Sequence, residues 1–521
     1  MTSTRAPVVL ALLASVTLGV VAWTWRTGAV GGSDSACYAL MTKAYAEGRW
    51  QPDSPLARQA PWPDATRVAA PGGFLPSATQ AGAAVPVCAP GYSLLVAPFA
   101  RLGGLEAVHV VPPVAATLLV WLAFVLTRRL ATAWAGVGAA LLVATSPVVL
   151  FQAVQPMNDI TTGALWVGVA VAMLGGHPLT TGALTGLGLL VRPNLAPAAV
   201  VAVVACGVMA ARAHADDRLR HAIVAMTVAA LAALPGVAIA LALNVSLYGS
   251  PFQSGYGDLG ALFAWTHVPE NVVRYGRAWL VTSTPVVLLA LAAPFVAPPA
   301  TRLASGLVAG LAVALAVVYL AYRPFAEWWY LRFLLPGIVL SIVLAMTVLA
   351  ALVDRAGRPW ALALGIFVVG AAAFTSARSD HAREALGLMR LESRFPLTSA
   401  VVTARLPASA VLVTGWQSGA VRFRPGREVV MWDALDPAWL DGALAWLTAH
   451  GRTPAIVLEP WEHEAFRVRF ARQDYGALDW PPRYDLERRV QIFLPEDRAR
   501  YRAGETVATE RVFEAGRARG R

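Results

Sequence analysis

Two carboxylates stand out in a long apolar stretch that holds few acids: residues 1–375 contain only 12 Asp and Glu. An ionisable group beside or within a membrane-spanning segment is a candidate for function by default. Asp34 lies in Gly31-Gly-Ser-Asp-Ser-Ala-Cys-Tyr, just after the first apolar segment. Asp159 lies in Gln155-Pro-Met-Asn-Asp-Ile-Thr-Thr, at the start of a later one. A carboxylate so placed can accept a proton from an attacking hydroxyl. It can equally be the cap or first-turn charge of the helix it begins. On residue chemistry alone both readings stand for both residues.

The elements that must position them follow from composition. Of 521 residues, 57% are hydrophobic and 14% charged, against about 25% charged in soluble domains. Residues 1–375 carry 20 Lys and Arg with the 12 acids, whereas residues 376–521 carry 22 and 19. This excludes a single soluble enzyme, a disordered chain and a one-helix anchor. It predicts an all-α polytopic membrane region, 1–375, followed by a small α/β domain outside the membrane, 376–521. The net charge of +11 includes no Lys/Arg-rich run, so the basic residues speak for topology and not for nucleic acid. Lys43 is the one lysine beside 41 arginines, which reads as GC-rich coding and hence a bacterial source.

Windows of about 19 residues give eleven apolar segments: 8–25, 107–127, 133–151, 160–175, 179–191, 195–211, 222–243, 279–297, 303–321, 333–353 and 359–375. Arg5, Arg128/Arg129, Arg212/Arg218/Arg220, Arg302 and Arg355/Arg358 mark alternate connections. Those connections are assigned to the cytoplasm, with the N-terminus, and the odd count puts the last domain outside. Segment 179–191 is short for a span and could be re-entrant. The first segment could be a cleaved signal peptide, although its apolar run is long for one. The outer face then receives loop 27–106 with an amphipathic helix at 36–48 lying along the interface, a loop from Asn244 to Arg277, two short loops and the final domain. Such a protein acts on something outside, or on a lipid-borne substrate presented there.

Cys37 and Cys88 share the first external loop, where an oxidising compartment permits a disulfide; two separate buried thiols are the alternative. No His, Cys, Asp or Glu cluster has metal-ligand spacing, so no metal is assigned, although a divalent cation between external acids stays open. In the final domain, short apolar runs such as Ala410-Val-Leu-Val-Thr and Ala455-Ile-Val-Leu-Glu alternate with helical patterns, and Gly415-Trp-Gln-Ser-Gly is a poor phosphate loop.

Taken in order, Asp34 with Tyr38, Ala44 and Gly48, then Pro90-Gly-Tyr, Ser146-Pro, Asp159, Gly186-Leu-Gly-Leu-Leu-Val-Arg-Pro, Tyr248-Gly-Ser-Pro and Tyr330-Leu-Arg-Phe, the chain resembles the GT-C superfamily of integral membrane glycosyltransferases. The resemblance covers about 8–353 and is nearest the protein-mannosyltransferase and aminoarabinose-transferase branch. It implies inverting transfer of a sugar from a polyprenyl-phosphate carrier to a lipid, glycan or protein acceptor at the outer face of the cytoplasmic membrane. It also implies Asp34 as catalytic base and Asp159 as the second-loop acid. A leaving phosphate needs arginine forks in a partly dry site. Arg332 is the first choice, with Arg323, Arg192, Lys43, Tyr256, Tyr330 and, more weakly, Asp258 as further substrate contacts. Against these stand an Arg323–Glu327 pair fixing the loop, interface anchoring by Trp328, Trp329 and Tyr330, a helix boundary at Arg192-Pro193, and headgroup contact for Lys43. A membrane transporter is the alternative function, then a scaffold or a polysaccharide polymerase.

Overall fold

The computed structural model describes residues 5–214, 216–257 and 259–513; Asp258 lies outside the described residues. The chain is a polytopic helical membrane protein with a small C-terminal α/β region. It divides into two compact units: Met1–Arg26, Ala107–Leu243 and Gly257–Leu388 in the first, Thr27–Glu106, Asn244–Tyr256 and Met389–Arg521 in the second.

Every one of the eleven apolar segments is helical. Among the described residues seven helices are long and apolar enough to cross a membrane, or nine if each of two bent pairs is one span. Two of the segments, 133–151 and 279–297, fall on bent pairs. Ala133–Ala144 and Pro147–Ala153 meet at 61° because Pro147 has no N–H to continue the ladder. Trp265–Ser283 and Pro285–Val296 meet at 114°, where Thr284 takes φ +63° ahead of Pro285. Asp159–Leu174 and Pro178–Val191 are shorter apolar helices; the latter, with 14 residues, is about 21 Å long against a hydrocarbon core of about 30 Å.

In the first unit the antiparallel helices leave two chemically different ends. At one end the connecting arginines tie neighbouring helix ends together: Arg129 donates to the Val171 carbonyl, Arg355 to Val296 at 2.9 Å and Arg212 to Ala300 at 3.4 Å, while Thr301 Oγ1 donates to Leu130 at 2.7 Å. The opposite end gathers Asp159, Arg192, Tyr319 and Phe333. The glycine-rich run before Arg192 serves packing, since a Cβ on Gly236 would lie 2.2 Å from the Gly186 carbonyl oxygen. Small residues let two helix backbones approach this closely in a medium that gives no hydrophobic drive between them.

The second unit is built on a hairpin and a sheet. Strands β1 (Phe74–Pro76) and β2 (Ala84–Pro86) pair antiparallel. Strands β3 (Ala410–Thr414), β4 (Glu428–Met431), β5 (Thr453–Leu458), β6 (Tyr484–Leu486), β7 (Val490–Phe493) and β8 (Glu510–Val512) form one sheet in the order β4-β3-β5-β7-β6-β8. Strands β4, β3 and β5 are parallel and β7 runs against β5 and β6. Along β3 the side chains alternate between two cores, Val411 and Val413 in one and Ala410 and Leu412 in the other. That period of two, buried on both faces, is what a covered parallel sheet requires. Leu56, Trp62 and Val68 enter the first of these cores, so loop 27–106 folds with Met389–Arg521 rather than with the helices. The second unit takes up the chain again at Met389. Helix Gly32–Ala46 is not a surface stripe: Ala36, Cys37, Tyr38, Ala39, Leu40, Met41 and Thr42 are all buried, which takes in every face of the helix.

Cys37 and Cys88 are bridged, with Cα atoms 6.1 Å apart and a sequence separation of 51. Closing a loop of that size restricts the unfolded chain by up to about 4 kcal/mol. The Cys37→Ser/Cys88→Ser variant is therefore expected to melt several degrees below the wild type in a thermal scan of purified protein, and the wild type to converge on it when reduced.

Candidate active site

In the first unit, Asp159 opens helix Asp159–Leu174 and Arg192 closes helix Pro178–Val191. Arg192 Nη2 donates to Asp159 Oδ1 at 2.5 Å and to Asn158 Oδ1 at 2.9 Å, and Asn158 Nδ2 donates to the Val191 carbonyl at 3.3 Å. The Asp159 side chain is 1% exposed. It is in the first turn, after Asn158 at the cap position, whose own side chain makes no cap bond. Its Oδ2 has no hydrogen-bond partner among the described residues.

Rings complete this end of the unit. Tyr319 and Phe333 stack 5.1 Å apart at 9°, and the Arg192 guanidinium carbon lies 5.9 Å from each ring centre. Arg332 lies 5.1 Å from the same Phe333 ring and 5.2 Å from Tyr330, and Tyr330 stacks on Phe325 at 4.0 Å. Asn194 Nδ2 donates to Tyr319 Oη at 3.0 Å. Two guanidinium groups thus lie against one ring, Phe333, a cationic setting beside apolar surface in which an anion gains more than it would in bulk solvent. The structure brings Asp159, Arg192, Tyr330 and Arg332 together. Arg323 is exposed, with its N–H on the Leu262 carbonyl at 2.8 Å.

In the second unit, Asp34 is the third residue of helix Gly32–Ala46, with Gly31 at the cap position. A carboxylate in that first turn is favoured by the helix dipole. The bridge to Cys88 and the Ser93 hydroxyl, which donates to the Tyr38 carbonyl at 2.9 Å, hold this helix. Lys43 lies nine residues further along, roughly 14 Å by helix rise. Its Nζ donates to the carbonyls of Phe423 at 2.7 Å and Arg422 at 3.4 Å, at the end of helix Ser418–Phe423. Burial lowers the pKa of that ammonium, with Glu47 opposing and Arg422 and Arg49 adding to the shift. Lys43 is therefore placed as a C-terminal helix cap. Tyr256 is exposed.

Asn158, Asn194, Tyr319 and Phe333 were not singled out by sequence, although each lies within two residues of a candidate or at the end of an apolar segment. Among the described residues no group of three or more His, Cys, Asp or Glu is arranged to hold a metal ion.

No family profile matches this chain, and no curated protein matches it by sequence. Among solved structures it is similar to ArnT from Cupriavidus metallidurans in the apo state, with a TM-score of 0.55 over 89% of this chain and 95% of that one, at 14% identity. Weaker likenesses are the Archaeoglobus fulgidus oligosaccharyltransferase tethered with an acceptor peptide (TM-score 0.48, 12% identity, 90% and 71% covered) and AglB from the same organism with an inhibitory peptide and a dolichol-phosphate (0.49, 11%, 89% and 71%). The chain has the GT-C fold that its motifs resemble.

Removing one partner of a buried ion pair leaves the other uncompensated, at a cost of about 3–5 kcal/mol. Arg192→Ala is accordingly expected to destabilise strongly in thermal scans, and Arg192→Met/Asp159→Leu to recover much of the loss. Lys43→Ala is expected to cost about 1–2 kcal/mol for the lost carbonyl bonds, read as a lowered Tm in the same scans.

Proposed function

We propose that the protein is a membrane glycosyltransferase that moves a sugar from a polyprenyl-phosphate-linked donor to an acceptor hydroxyl. The acceptor is a lipid, glycan or protein at the outer face of a bacterial cytoplasmic membrane. The observation that carries this reading is the pair of guanidinium groups sharing Phe333, in a chain with the fold of ArnT along nearly all its length; ArnT is an aminoarabinose transferase.

Asp34 acts as general base. The acceptor O–H gives its proton to the Asp34 carboxylate as the oxygen bonds to the anomeric carbon, the carbon–oxygen bond to phosphate breaks, and polyprenyl phosphate leaves with the configuration inverted. Arg332 binds the phosphate, and Arg192, oriented by Asp159, adds positive charge. Tyr330 holds the Arg332 plane. A transporter would set paired charges near the bilayer midplane, whereas the Asp159–Arg192 pair stands where helices begin and end.

The test is transfer of labelled sugar from polyprenyl-phosphate donors into lipid, glycan and protein fractions. Asp34→Asn is expected to lower kcat by at least about 100-fold, the scale of general-base catalysis. Arg332→Ala is expected to lower kcat/KM by about 100- to 1000-fold, and Arg332→Lys to recover only part because the fork is lost. Full activity of Asp34→Asn would leave Asp34 as a first-turn carboxylate and nothing more.

A further inference from the structure

We propose that the C-terminal edge of the sheet in the second unit binds sugar rings of the acceptor on a platform formed by Trp416 and Trp461. The proposal rests on the glycosyltransferase reading for the ligand's role as acceptor.

The sheet order supplies the place. From β3 the chain passes to β4 on one side and then to β5 on the other, so the connections after β3 and β5 diverge and leave a crevice at the carboxyl ends of these parallel strands. In open α/β sheets that switch point is where ligands bind. Here it is lined by Gly415-Trp416-Gln417 after β3 and Glu459-Pro460-Trp461 after β5.

Both tryptophans are exposed, Trp416 by 43% and Trp461 by 62%. Their rings stand edge to face with centres 5.8 Å apart at 82°. Buried groups fix them there. Trp461 Nε1 donates to Glu459 Oε2 at 3.0 Å, and the Trp416 N–H donates to Glu462 Oε1 at 3.2 Å. Glu459 Oε1 in turn accepts from Arg394 Nε and Gln417 Nε2, each at 2.8 Å; Glu462 accepts from Trp432 Nε1 at 3.0 Å and from the Glu459 N–H at 2.9 Å. Gln417 is fully buried and its Oε1 has no hydrogen-bond partner among the described residues. Gly415 is required, because a Cβ there would lie 2.5 Å from Glu462 Oε1 and 2.7 Å from Trp432 Nε1. The two indoles are thus held in place on a frame of bonded, buried carboxylates, a preorganised surface that a ligand can meet without paying to order it.

The chemistry points to a sugar. The electron-rich face of an indole attracts the positively polarised C–H face of a pyranose, and two faces at a steep angle suit successive rings of a chain. A membrane-interface tryptophan turns its N–H toward the headgroups, whereas that of Trp461 turns inward to Glu459. The platform is also close to the base: a Cβ on Gly32 would lie 3.8 Å from Trp416 Cζ2, and Asp34 follows two residues later on the same helix.

The test reads binding without turnover, so it stands apart from failure of the transferase reading. Full-length protein in lipid nanodiscs, free of sugar-based detergent, is probed with mannohexaose and cellohexaose by saturation-transfer NMR. Saturation of the pyranose C–H protons is expected in the wild type and in Asp34→Asn, at least five-fold less in Trp416→Ala/Trp461→Ala, and restored in Trp416→Tyr/Trp461→Tyr. If the double alanine variant does not fold, Trp461→Ala alone gives the same reading. The proposal fails if neither hexaose is saturated by the wild type, or if the alanine variants match it. It also fails if doxyl-labelled lipids quench a fluorescence component that Trp416→Phe/Trp461→Phe removes, which would make the rings membrane anchors.

Discussion

Hydrocarbon offers a backbone N–H or C=O no partner outside the chain, and a charge set within it is costly. The first unit follows from that constraint. Its helices satisfy their own peptide groups, and its charges gather where helices begin and end. Antiparallel order then sorts those ends into two chemically different surfaces. One carries the arginines of alternate connections, of which Arg129, Arg212 and Arg355 are tied to a neighbouring carbonyl. The other carries Asp159, Arg192 and the rings around Arg332.

At that second surface the burial of Asp159 makes Arg192 obligatory, since an unpaired charge so deeply buried is costly. The pair consumes one oxygen of Asp159 and one nitrogen of Arg192. The glycine contact between Gly186 and Gly236 brings the helix ending at Arg192 close to its neighbour. Packing in the apolar region and charge placement at its edge are thus one arrangement.

The second unit obeys water's rules instead. Its sheet is covered on both faces, and one of those covers is drawn partly from residues 27–106, through Leu56, Trp62 and Val68. The helix that carries Asp34 packs directly on helix Ser418–Phe423, where a Cβ on Gly419 would lie 2.3 Å from that of Ala36. The Lys43 cap and the contact of Gly72 N–H with Ser418 Oγ at 3.0 Å hold the two parts of the chain as one body, while the Cys37–Cys88 bridge ties the helix within the first part. The Asp34 carboxylate is therefore positioned by the α/β fold and not by a flexible loop.

The apolar windows, the arginine-marked connections and the alternating runs at Ala410–Thr414 and Val490–Phe493 are local signals, spanning a few to about twenty residues. For that reason the sequence by itself determined the helical segments, the fold class and the strands β3, β4, β5 and β7. It also marked Asp34, Asp159 and Arg332 as polar groups in costly places. It did not reveal that Arg192 belongs to Asp159, 33 residues away, that Phe333 serves two arginines, or that two tryptophans 45 positions apart share one crevice. Nor did it show that the first loop joins the last domain. Those depend on which helix ends and strand ends meet, which long-range packing decides, and no periodicity along the chain records it.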